Sequence, residues 1–297
     1  KELDGEIMSA NVYMGVDGIL QALQAGADVV ITGRVSDPSL FMAPVLYEFG
    51  WALDDWDKLG KATQVGHLLE CGGQVCGGYF AEPGKKDVPD LAHLGFPIAE
   101  VGEDGSIVIT KVPGSGGMVT RETCIEQMMY EIQDPTKYFT PDVVADFSNV
   151  TFTELGPDRV RAEGATGHPK TATLKTSIGY KDCFIGEGEI SYGGPNCLAL
   201  RKLPLDEVKI DLIGVNSLNW NPDRYRSTDP DEIRVRVAAR TRDKTVAARI
   251  GEEVEAMYTN GPAGGCGAVK RVTEIVSVAS MLVSRNDVTA TVCIKEV

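Results

Sequence analysis

Apolar positions recur at helical spacing in "VDGILQALQAG", where Ile19, Leu20 and Leu23 share one face and Gly26 stands at the end. Residues three and four apart meet on one side of a helix, and a glycine just past the last turn suits a left-handed cap. The pattern then changes. Val29, Val30 and Ile31 form an unbroken β-branched run, which predicts a strand covered on both faces. Arg34, Ser36, Asp37 and Pro38 follow at once. Pro38 fits the first turn of a helix and Asp37 its N-cap. The stretch therefore predicts a buried strand, a tight turn that faces a pocket, and a helix ending at Gly50.

Beyond Asp54 and Asp55 the pattern is helical again as far as "ECGGQVCGG". "FPIAEVGEDGSIVIT" predicts a hairpin around Asp104 and Gly105. "GSGGMVTRETCIEQMMYEI" predicts a glycine loop leading into a helix, and residues 143–180 are mostly strand-like. "EVKIDLIGV" and "EIRVRVAAR" predict two strands, and "DKTVAARIGEEVEAMY" an amphipathic helix. "VTEIVSVASMLV" and "VTATVCIKEV" predict final strands. The fold class is α/β. A mostly parallel or mixed sheet with flanking helices is expected over residues 1–204, and a smaller α+β domain over residues 205–297. The opening "KELDGEIMSANVYMG" shows no clean beginning of an element, so upstream residues are expected to be missing.

Composition narrows the classes. With 43% hydrophobic and 24% charged residues, the 297-residue chain has the profile of a globular protein. A formal net charge of −14 opposes nonspecific binding to nucleic acid or anionic membrane. No apolar run is long enough to span a bilayer as a helix. Seven widely spaced cysteines and three histidines give neither a zinc pattern nor a disulfide framework. Neither "PGSGG" nor "NGPAGGCG" forms a nucleotide-binding loop.

Three segments carry candidate chemistry. Arg34, Ser36 and Asp37 could clamp a carboxylate or phosphate at a helix start. His67 and Glu70 share a helix face at i,i+3 spacing, suitable for proton transfer, with Cys71 beside them. In "FIGEGEISYGGPN", Glu187 and Glu189 share one strand face, with Gly186 and Gly188 between them and Asn196 beyond. Phe184, Ile185 and Tyr192 make their surroundings look apolar rather than charged, which suits a general base. Glu187, Asp37 and His67 are the expected proton-transfer residues. Arg34, Ser36, Glu189, Gly186, Gly188 and Asn196 are the expected substrate-binding ones, and no metal is expected.

Taken together, "SANVYMG", "AGADVVITGRVSDPSL", "GHLLECGGQVCGGYF", "DLAHLGFPIAEV", "DVVADFSNV", "FIGEGEISYGGPN", "DLIGVNSL" and "NGPAGGCG" resemble the acyclic terpene utilisation family AtuA, in order and over nearly the whole chain. The resemblance implies a cytoplasmic or mitochondrial catabolic setting in which branched acids are degraded as coenzyme A thioesters. It does not assign a reaction or a cofactor. An enzyme of lyase or hydratase type, acting on a branched carboxylic acid or its CoA thioester, is the expectation. The alternative is a noncatalytic subunit or scaffold beside an acyl-CoA carboxylase. A homo-oligomer is expected in either case.

Overall fold

The computed structural model describes residue 3 and residues 5–193, 208–215, 217, 232–261 and 264–296. Its elements begin with β1 (Ile7–Val12) and α1 (Asp17–Gln24), which buries Ile19, Leu20 and Ala22. α2 (Asp37–Phe49) ends at Gly50, whose φ of 60° and ψ of 32° form the left-handed cap. Ser36 is the N-cap residue, not Asp37 as expected; Asp37 begins the helix itself. α3 (Trp56–Leu69) starts at Asp55, whose carboxylate accepts from the Lys58 N–H at 3.2 Å. α2 approaches α3 closely at Gly66, where a Cβ would lie 2.5 Å from Pro38 Cα.

The expected hairpin is β2 (Pro97–Val101) with β3 (Ile107–Lys111), paired antiparallel and turning at Gly105 with φ 82°. α4 (Arg121–Met129) opens with Thr120 and Thr123 each accepting the other's backbone N–H. There follow β4 (Tyr138–Phe139), β5 (Val144–Asp146), β6 (Thr151–Gly156), β7 (Arg159–Glu163), β8 (Thr166–His168) and β9 (Thr173–Gly193). β10 (Val208–Ile213), β11 (Glu232–Thr241), α5 (Lys244–Asn260) and β12 (Gly265–Ser284) complete the series.

The chain divides into two compact units, Lys1–Ala10 with Ile178–Ala279, and Asn11–Ser177 with Ser280–Val297. The first contains the sheet ordered β1-β9-β11-β10, with β12 also paired to β9. Its core includes Ile190, Tyr192, Leu212, Ile233 and Val254. The second contains α1–α4 with the sheets β2-β3-β7-β6 and β4-β5-β8. Its larger core includes Met42, Leu59, Leu68, Val143 and Phe147. Burying a side chain such as Met42 or Leu68, both 0% exposed, contributes about 1.5–3 kcal/mol.

Helices flanking several sheets give the mixed α/β class that the periodicity predicts. Two local expectations fail. Residues 29–31 are not a strand, and Val29 and Ile31 are 78% and 93% exposed. Their β-branched side chains fit a pleated surface, but no neighbouring strand pairs with them among the described residues. β-propensity without a partner does not make a strand. "VTATVCIKEV" likewise forms no strand over its described residues. The composition change near Pro204 lies outside the described residues. No helix among the described residues is long and apolar enough to cross a membrane.

Candidate functional site

The start of α2 is held by a short parallel bridge between Met14 and Val35. Met14 N–H donates to Arg34 O at 3.2 Å, and Ser36 N–H donates to Met14 O at 2.9 Å. Tyr13 N–H in turn donates to Lys175 O at 2.8 Å. These bonds set three chain segments around the Tyr13 ring. Arg34 Cζ lies 5.1 Å and Lys175 Nζ 5.2 Å from its centroid, within cation–π range. Neither cation has a carboxylate partner among the described residues.

Beside them lies a cavity of about 450 Å³ whose wall includes Tyr13, Ser36, Phe139, Leu174, Lys175 and Met281. Ser36 is 9% exposed. Its hydroxyl does not cap α2, although a serine at this position usually accepts from the first turn. Arg285 ties the wall together. Its Nε donates to Thr171 O at 3.1 Å, and its Nη2 to Pro141 O at 2.7 Å. Asp142, next to Pro141, accepts from Val16 N–H at 3.0 Å and from Ser39 Oγ at 2.6 Å. Burial raises its carboxyl above the ordinary range, while those two bonds pull the other way.

His67 and Glu70 also meet as the spacing predicts. His67 Nδ1 and Glu70 Oε1 are 2.7 Å apart at the end of α3. His67 is 1% exposed, and its ring lies 5.3 Å from that of Tyr138. His67 Nε2 and Glu70 Oε2 are buried without a hydrogen-bond partner among the described residues. Burial pushes the Tyr138 phenol well up, and the charges of Glu70 and Asp37 add to the rise. Asp37 and His67 therefore belong to neighbouring helix ends, one exposed and the other sealed. Cys71 holds a left-handed φ of 66°. Partial burial, then Glu70, raises its thiol, which disfavours the reactive thiolate.

Glu187 and Glu189 belong to the first unit, and their setting is charged rather than apolar. Arg236 Nε donates to Glu187, and Arg234 Nε to Glu189. Arg236 Nη1 also reaches Asp211 Oδ2 at 3.0 Å, and Arg271 lies 3.9 Å from Glu187. These are diagonal pairs, because the register sets Arg236 opposite Glu189 and Arg234 opposite Ser191. Gly186 and Gly188 receive α5. A Cβ on Gly186 would lie 1.9 Å from Ala247 O, and one on Gly188 2.6 Å from Val254 Cβ. Asn196 lies outside the described residues.

The structure thus brings Arg34, Ser36 and Asp37 together, with His67 behind them. Sequence reasoning missed Tyr13 and Lys175. Alternation in "TLKTSIG" carries a signal for Lys175, since Leu174, Thr176 and Ile178 are buried and Lys175 is exposed. It also missed the arginines facing Glu187 and Glu189, although Arg234 and Arg236 alternate in "EIRVRVAAR".

The family model described as acyclic terpene utilisation family protein AtuA matches residues 1–294. No curated protein and no solved structure matches the chain.

Proposed function

The chain belongs to the AtuA family of acyclic terpene utilisation proteins, and from that premise we propose that it is an enzyme acting on a branched carboxylic acid or its CoA thioester. The observation that carries this reading is the cavity at the start of α2. It offers Phe139, Leu174 and Met281 to an apolar chain and the uncapped Ser36 hydroxyl to a polar end. Pockets of this kind usually combine apolar walls with a few placed polar groups.

The chemistry is of lyase or hydratase type. Arg34 and Ser36 hold the carboxylate or thioester oxygen, where negative charge develops as an enolate forms. Asp37, exposed at the same helix end, moves the proton. His67, sealed against Tyr138, supports that helix end from behind. Glu187 and Glu189, already paired with arginines, serve the sheet.

Two measurements test the reading. In deuterated water the protein should exchange the acidic C–H of a branched acyl-CoA thioester, followed by mass spectrometry. Leu282→Trp, at an exposed wall residue, should weaken thioester binding at least tenfold by filling the cavity. Absence of exchange overturns the reaction class, and unchanged binding in Leu282→Trp overturns the site. A second reading, a scaffold subunit, draws on Ile7, Met8, Val276 and Val278, strand residues of the first unit that are 51–67% exposed. Such apolar exposure suits a covered interface, in a homo-oligomer or beside a carboxylase. A monomer by light scattering removes the homo-oligomer, and failure to co-elute with an acyl-CoA carboxylase removes the other form of that reading.

A further inference from the structure

Arg34 and Lys175 differ from the arginines of β11, each of which closes on a carboxylate. Arg34 and Lys175 come from distant segments and converge on one ring, Tyr13, at 5.1 and 5.2 Å. Neither has an acidic partner among the described residues. Tyr13 and Lys175 line the cavity, as does the nine-tenths buried Ser36, whose hydroxyl makes no cap bond. Arg34 and Asp37 are not wall residues themselves; Arg34 meets the wall through Tyr13, over whose ring it lies at 5.1 Å.

A carboxylate is held well by one arginine fork. Two separate cations, one a planar fork and one a point charge, with a hydroxyl beside a helix start, match an anion with three outward oxygens. We infer that the cavity takes a ligand whose polar end is a phosphate group and whose other part is a branched apolar chain. This rests on the cavity reading above and specifies the ligand class more narrowly. Tyr13 organises the two cations before the ligand arrives, which reduces the ordering cost of binding. The phosphate is either attached directly to the chain or carried by a thioester cofactor.

Calorimetric titration of the full chain with four probes tests this: a branched free acid, its CoA thioester, an isoprenyl monophosphate and inorganic phosphate. At least one phosphate-bearing branched probe should bind about tenfold or more tighter than the free acid, the scale of one charge-assisted contact. Lys175→Met, at a wall residue without a part in the reaction above, should remove most of that advantage while leaving the free acid's affinity within about threefold, which a merely structural role would not do; Arg34→Met should weaken both probes, the phosphate-bearing one more. Both side chains are exposed, so folding is retained. Lys58→Met, another cation over a ring at 5.1 Å from Trp51, should keep the full advantage. The ranking of monophosphate against thioester identifies the source of the phosphate. Equal affinities for free acid and phosphate probes, or an advantage that survives in Arg34→Met/Lys175→Met, overturn the inference and leave the cavity reading standing. If no branched probe binds, both fall.

Discussion

In the first unit the arginines of β11 close on carboxylates: Arg234 on Glu189, Arg236 on Glu187 and Asp211, and Arg240 on Asp182. In the second unit Arg34 and Lys175 close on an aromatic ring and leave their charge uncompensated. The same side-chain chemistry is satisfied within the protein in one place and left open in the other. A satisfied pair resists change because removing one partner strands the other. An open pair contributes little to the fold and is free to meet a ligand. The location of unpaired charge, more than the location of charge, distinguishes a candidate site from a braced sheet.

Four substitutions test this contrast. The largest effect is expected where the braced sheet admits no volume. Gly186→Val forces a side chain onto the α5 backbone at Ala247 and should cost about 3 kcal/mol. A urea midpoint within error of the parent would show that α5 does not rest on β9 as described. Next, methionine at two arginines separates the regions directly. Arg236→Met leaves Glu187 and Asp211 short of a cation, at side-chain exposures of 15% and 9%, and should cost about 2 kcal/mol. Arg34→Met should stay within about 0.5 kcal/mol of the parent. Equal losses at the two positions would erase the distinction.

The smallest effect concerns Asp142, whose folded-state carboxyl is raised by burial from the ordinary 3.8. Above pH 3.8 the unfolded chain releases this proton while the folded chain still holds it. The contribution is therefore complete below that pH and is lost as pH rises through the folded value. Asparagine cannot titrate. The stability of the parent minus that of Asp142→Asn should decline as pH increases from 3.8. A difference that rises over that range would mean that Ser39 and Val16 outweigh burial.

Periodicity and punctuation made most helices legible. Gly50 ends α2 and Asp55 opens α3 because caps are local chemistry, settled by a few residues. The hairpin at Gly105 was legible for the same reason. Val29 to Ile31 misled because a strand is a relation between two segments, and one sequence segment cannot state whether its neighbour is present. The same limit hid the setting of Glu187. Its glycines and aromatics are adjacent in sequence, whereas Arg236 stands 49 positions away. Arg34, Ser36 and Asp37 were readable as a turn. Tyr13 and Lys175, separated by 162 positions along the chain, join them only through folding.

Arg285 gives this cavity a place in time. Its guanidinium reaches Pro141, a separation of 144 positions, and Thr171, a separation of 114. The helices and hairpins of the second unit close over short loops and can form early. The cavity wall must wait until the chain has been synthesised through the first unit and has returned, since contacts of long sequence separation form late. A nascent chain released before residue 285 would carry α1 to α4 but no finished cavity. A finished cavity wall thus requires a chain translated past residue 285.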